Sequence, residues 1–153
     1  MARPTSINQP IVETLYAQAL VLADEVRACF GLDAGGNEEA RTDSVRIALS
    51  IEGLRATTRM MHLLAWLLNQ RAFFDGELSE AQLLRTGALP EDRPHDSINM
   101  KLLEPATCAL LEETRALHAR VARLDRAWRD GFAGSPDTIG QLHRRLGRAL
   151  ARG

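Results

Sequence analysis

SVRIALSIEGLRATTRMMHLLAWLLNQRAFF, residues 44–74, is the stretch on which the fold turns. Apolar or small side chains fall at Ile47, Ile51, Leu54, Thr58, Met61, Ala65, Leu68 and Ala72, in steps that alternate four and three. That spacing predicts one long helix with these residues as its buried stripe. At 1.5 Å per residue the helix is roughly 45 Å long. Met60, Leu63, Leu64, Leu67 and Phe74 add apolar surface on the flank and back, as in a central helix or an oligomer contact. The remaining polar sector holds Glu52, Arg55, Arg59, His62, Asn69 and Gln70, and Trp66 and Phe73 point into it. Two aromatics there have two readings: a hot spot for a partner, or packing against another segment of this chain.

Toward the N-terminus, residues 1–9 read as a flexible lead-in and Pro10 suits a first helical turn. Val12, Leu15, Ala19, Leu22, Val26 and Phe30 then step by three and four, predicting an amphipathic helix stopped by Gly31. Residues 32–43 read as a loop, and Thr42, Asp43 or Ser44 caps the central helix. Gly53 inside that helix offers a place for another helix to come close.

Toward the C-terminus, Gly76 ends the central helix, and Ser79 with Gln82 forms a capping box for a short helix to Thr86. Residues 88–101, ALPEDRPHDSINMK, show two prolines and no period, and read as a linker or mobile loop. A third long helix starts near Glu104 with Pro105 in its first turn. Its seam is Leu103, Leu110, Leu117 and Leu124, with Thr107, Thr114, Val121 and Trp128 four residues later in each heptad. Gly131 and Gly134 are expected to break it, with Ser135 capping a last helix. That last helix has an arginine side of Arg144, Arg145, Arg148 and Arg152. No segment alternates like a strand. The expected fold is all-α: a three-helix bundle with a long central helix, a short connecting helix and a C-terminal helix, the bundle over 10–130 and a basic tail over 131–153. Three helices leave apolar surface of the central one uncovered, which points to a homodimer.

At 153 residues, 45% hydrophobic and 25% charged, the composition is that of one ordinary globular domain. No apolar run approaches the roughly 20 residues of a membrane span, and MARPTSINQP lacks a signal-peptide pattern. A cytoplasmic protein with Cys29 and Cys108 as buried thiols in separate helices is expected. Charge is uneven: residues 1–114 carry −7 and residues 115–153 carry +6. Such a basic end suits an acidic protein patch or nucleic acid, although the whole-chain charge of −1 and the lack of a recognition-helix pattern speak against the latter. His62, His95, His118 and His143 show no metal spacing, and there is no C-x-x-C, phosphate loop or nucleophile motif. No catalytic, cofactor or metal residue is assigned, and the expectation is a protein that is not an enzyme.

The central segment LRATTRMMHLLAWLLNQRAFFDGELS resembles the signature of the RcdA family of α-proteobacterial proteins. Its T-T-R-[LM]-M-x-x-x-[AS]-W-L-L-x-[QR]-[RK]-A core and following G-E are similar to Thr57, Thr58, Arg59, Met60, Met61, Ala65, Trp66, Leu67, Leu68, Gln70, Arg71, Ala72, Gly76 and Glu77. His62 stands where the family pattern has glutamine. The resemblance implies a small homodimeric three-helix adaptor without catalysis. Such an adaptor helps the ClpXP protease degrade cell-cycle regulators such as CtrA, together with a single-domain response regulator. Arg59, Trp66, Gln70, Arg71 and Phe73 are the first candidates for partner contacts, and Arg144, Arg145 and Arg148 the second; the other reading packs Trp66 and Phe73 within the chain and pairs Arg59 and Arg71 with carboxylates. The alternative is a DNA- or nucleoid-associated regulator that uses the arginine-rich C-terminal third.

Overall fold

The computed structural model describes the backbone of residues 5–31 and 42–151, with side chains over 8–31, 42–131 and 147–151. Five helices stand in it: α1 (Thr5–Phe30), α2 (Asp43–Phe74), α3 (Glu80–Thr86), α4 (Ser97–Leu102) and α5 (Pro105–Leu150). No strand occurs among the described residues, and the fold is the all-α one expected. The loop expected over 32–43 lies outside the described residues except for its last two positions.

The first helix buries Val12, Leu15, Ala19, Leu22 and Val26, the face its periodicity marks. It begins at Thr5 rather than Pro10, so part of the expected lead-in is helical and Pro10 sits inside. So near the N-terminal end, proline forfeits one backbone hydrogen bond without breaking the helix. The second helix is capped by Thr42, whose hydroxyl accepts from Val45 N at 3.4 Å. It ends at Phe74, where Gly76 takes φ +79° and its N–H returns to Phe73 O at 3.1 Å.

Contacts set the directions. Phe30 lies against Gly53, while Arg71 Nε donates to Glu13 Oε1 at 3.0 Å, so α1 and α2 are antiparallel. Cys29 Sγ lies 3.9 Å from Thr107 Oγ1, at the start of α5. Further on, Arg59 Nη1 donates to Thr114 Oγ1 at 2.8 Å, which runs α5 parallel to α2. The predicted seam of α5 is buried at Leu103, Thr114, Leu117 and Val121, joined by Leu111.

Two expectations give way. The segment after Gly87 is not a loop throughout: Asp96 accepts from Ile98 N at 2.8 Å and caps α4. Nor does the third long helix stop at Gly131, since α5 continues to Leu150 and absorbs the expected last helix. Each glycine costs a helix about 1 kcal/mol but is no stop without a C-terminal cap. The chain divides into two compact units, residues 1–121 and 122–153. The second contains the Arg129–Asp125 ion pair at 2.8 Å and an exposed Leu150.

Candidate interaction surface

The two faces of α2 are used the opposite way from the expectation. Buried on it are Ala48, Glu52, Gly53, Ala56, Arg59, Met60, Leu63, Trp66, Leu67 and Gln70. The heptad stripe predicted to be core is outside: Ile47, Ile51, Leu54, Met61 and Leu68 are 38–69% exposed. Thr58 and Ala65 between them are exposed too. The heptad spacing is real, but it marks a face that no element of the described chain covers.

The reason lies in residues 87–99, which run back along the seam between α2 and α5 and turn the polar sector into interior. Arg59 Nε donates to both carboxylate oxygens of Asp92 at 2.8 Å. Its Nη2 donates to Arg93 O at 3.3 Å, and Thr114 Oγ1, which accepts from Nη1, donates onward to Leu111 O at 2.7 Å. One oxygen of Glu52 accepts from Arg55 Nη1 at 2.8 Å, Asn99 Nδ2 at 3.1 Å and Asp96 N at 3.3 Å. With these partners a guanidinium 2% exposed and a carboxylate 1% exposed are tolerable in the interior.

Two histidines complete the seam. His118 Nε2 lies 3.1 Å from Pro90 O. Burial pushes its pKa below 6.5, helped by Arg59 and His62 and opposed by Asp92 and the Pro90 carbonyl. His95 Nε2 lies 2.9 Å from both Glu112 Oε1 and Arg115 Nη1, while its buried Nδ1 has no hydrogen-bond partner.

The first group of candidate contacts is therefore mostly interior. Arg59, Trp66 and Gln70 are buried, so their side chains meet a partner only if the bundle or its covering segment opens. Arg71 sits half-buried against α1, paired with Glu13 and 4.4 Å above the Tyr16 ring. Phe73 is half-buried beside Phe74, ring centroids 5.7 Å apart. Of the second group, Arg148 is exposed, and the side chains of Arg144 and Arg145 lie outside the described residues. Among the described residues no group of three or more His, Cys, Asp or Glu is placed to hold a metal. No described helix is long and apolar enough to cross a membrane.

With this geometry in place, residues 4–150 of the chain match one family model, "Protein of unknown function (DUF1465)". The chain belongs to the DUF1465 family. No curated protein and no solved structure matches it. In this DUF1465 chain the T-T-R-M-M…A-W-L-L stretch serves both faces of α2. Thr57, Thr58, Met61, Ala65 and Leu68 face outward, and Arg59, Met60, Trp66, Leu67 and Gln70 face inward. Sequence reasoning missed Asp92 and Thr114 as partners of Arg59, and His118 as the partner of the Pro90 carbonyl. The signal available was a buried-type polar sector on α2 beside a proline-bearing segment long enough to cover it.

Proposed function

We propose that this chain is a non-catalytic adaptor in regulated proteolysis, which works as a homodimer joined along the outer stripe of α2. One observation carries the reading: an apolar stripe with heptad spacing, about 31 Å long from Ile47 to Leu68, exposed along one face of α2. A monomer gains nothing from exposing it, whereas a second copy supplies the same spacing in return. An antiparallel two-fold pair centred between Arg59 and Met60 sets large against small: Leu54 faces the partner's Ala65, Met61 the partner's Thr58 and Ile47 the partner's Ala72. Ile51 then faces the partner's Leu68. The RcdA-like motif supports the cellular role, delivery of protein cargo to ClpXP with a response regulator as helper, by tethering that raises the local concentration of cargo.

The test is substrate capture by a proteolytically dead ClpP in cells that carry wild type, no copy, or a Leu54→Arg, Met61→Arg variant. Wild type should add a distinct set of captured proteins, and the variant, folded but without its seam, should lose them. An identical substrate list with and without the protein would overturn the adaptor reading.

A further inference from the structure

Residues 87–96 have no regular secondary structure, yet they follow a fixed course antiparallel to α2 and α5. Their ends are held by apolar groups, buried Leu83 on one side and buried Leu103 on the other. Between those ends, beside the half-buried Leu89, a run of polar contacts holds the course. Pro90 O meets His118, the Asp92 carboxylate is forked by Arg59, Arg93 O takes a second donor of Arg59, and Asp96 N reaches Glu52. An extended chain held by one carboxylate and two backbone carbonyls in a seam of donors is held as a bound acidic peptide is held.

The closure is also close to balance. Burying a guanidinium–carboxylate pair largely cancels its own attraction through desolvation. His95 Nδ1 is buried without a partner when the segment is down, a cost that opening removes. Opening hydrates Arg59, Glu52 and His118, which are polar groups suited to water, and leaves Val12, Leu15, Leu63 and Leu67 of the core where they are.

We propose that the seam between α2 and α5 is a binding groove for an extended acidic segment of a partner protein, occupied in cis by residues 88–96, which the partner displaces. The groove asks for a carboxylate at Arg59 and for backbone carbonyls two residues before it, at His118, and one residue after it, at the second Arg59 donor. This surface lies opposite the α2 stripe and does not depend on the dimer.

The probe is a fluorescein-labelled peptide of residues 87–97, GALPEDRPHDS, and the same peptide with alanine for its Asp92, titrated against the full chain. Wild type, whose own segment competes at high effective concentration, should bind the peptide weakly. An Asp92→Ala chain, or Asp92→Asn if the alanine variant loses its helical circular dichroism, should bind at least about tenfold tighter. The peptide without the carboxylate should not bind, and adding Arg59→Gln should abolish binding. On wild type at millimolar peptide, amide signals of Thr114, His118 and residues 88–96 should shift together in nuclear magnetic resonance spectra. A folded Asp92 variant without peptide binding, equal binding of both peptides, or shifts confined to other residues would overturn the proposal.

Discussion

At Gly53 the Phe30 side chain of α1 lies directly against the backbone of α2. A Cβ there would stand 2.8 Å from Cδ1, 3.0 Å from Cγ and 3.1 Å from Cβ of Phe30. These are the inner atoms of the side chain, so they clear only if the last turn of α1 moves. Alanine adds about 1 kcal/mol of helix propensity, while overpacking takes about 1–3 kcal/mol. The clash should win: Gly53→Ala is expected to lower the urea midpoint by roughly 1 kcal/mol of stability. The same change in a Phe30→Ala background should raise it. If Gly53→Ala stabilises the wild-type chain, the Phe30 contact is not tight. His118 gives a pH effect whose sign is fixed. The unfolded chain takes a proton near pH 6.5, and burial of the imidazole makes the folded chain resist it, against the pull of Asp92 and the Pro90 carbonyl. Stability is therefore full above pH 6.5 and falls as pH drops through that value, until the folded imidazole is protonated too. His118→Gln keeps a donor for Pro90 O but does not titrate. It should flatten the stability profile between about pH 7.5 and about pH 5.5, and a profile parallel to wild type would remove His118 as the cause.

At the scale of the helix, α2 separates what a substitution does to the fold from what it does to assembly. Trp66 is 2% exposed, and Trp66→Ala should cost about 3–5 kcal/mol in denaturant titrations. Leu54 and Met61 are exposed, so Leu54→Arg with Met61→Arg should leave the monomer within about 0.5 kcal/mol. In sedimentation equilibrium the pair should convert dimer to monomer; a dimer that persists would place the seam elsewhere. This inversion is also what the sequence hid. In α1 the positions Val12, Leu15, Ala19, Leu22 and Val26 keep one unbroken three–four period, which named the buried face even though Leu20 and Val21 beside it are exposed. Leu117 and Val121 of α5 were legible for the same reason. On α2 both faces are greasy enough to be core, and the choice rests on distant partners: Asp92 neutralises Arg59, and Asp96 N and Asn99 Nδ2 donate to Glu52, so the polar side can be the buried one. Spacing along one helix carries no information about such a cover. The caps, by contrast, are local, and Thr42, Ser79 with Gln82, and Gly76 could be read directly.

Over the whole molecule, charge divides the two functional readings. Residues 122–153 carry seven arginines against three aspartates, and residues 1–121 carry −5, so each compact unit has its own sign. If Arg144, Arg145 and Arg148 gripped phosphates, the released counterions would make log K fall with log salt at a slope of about −2.7. Binding would then weaken by roughly fortyfold between about 50 and about 200 mM salt. An adaptor has no use for that term. The acidic residues of the first unit oppose a polyanion, while the proposed contacts of the α2 stripe and the Arg59 seam would be apolar and through a shielded ion pair, which salt screens little. Fluorescence anisotropy with a short DNA duplex at physiological salt should therefore give no Kd tighter than about 1 μM, the upper end of nonspecific binding. The triple change Arg144→Ala, Arg145→Ala, Arg148→Ala should leave ClpXP cargo capture unchanged. A nanomolar Kd with the steep salt slope, lost in the triple variant, would instead assign the basic unit to nucleic acid. The stripe would then serve only to pair two such units, because two linked phosphate-binding tails bind far better than one.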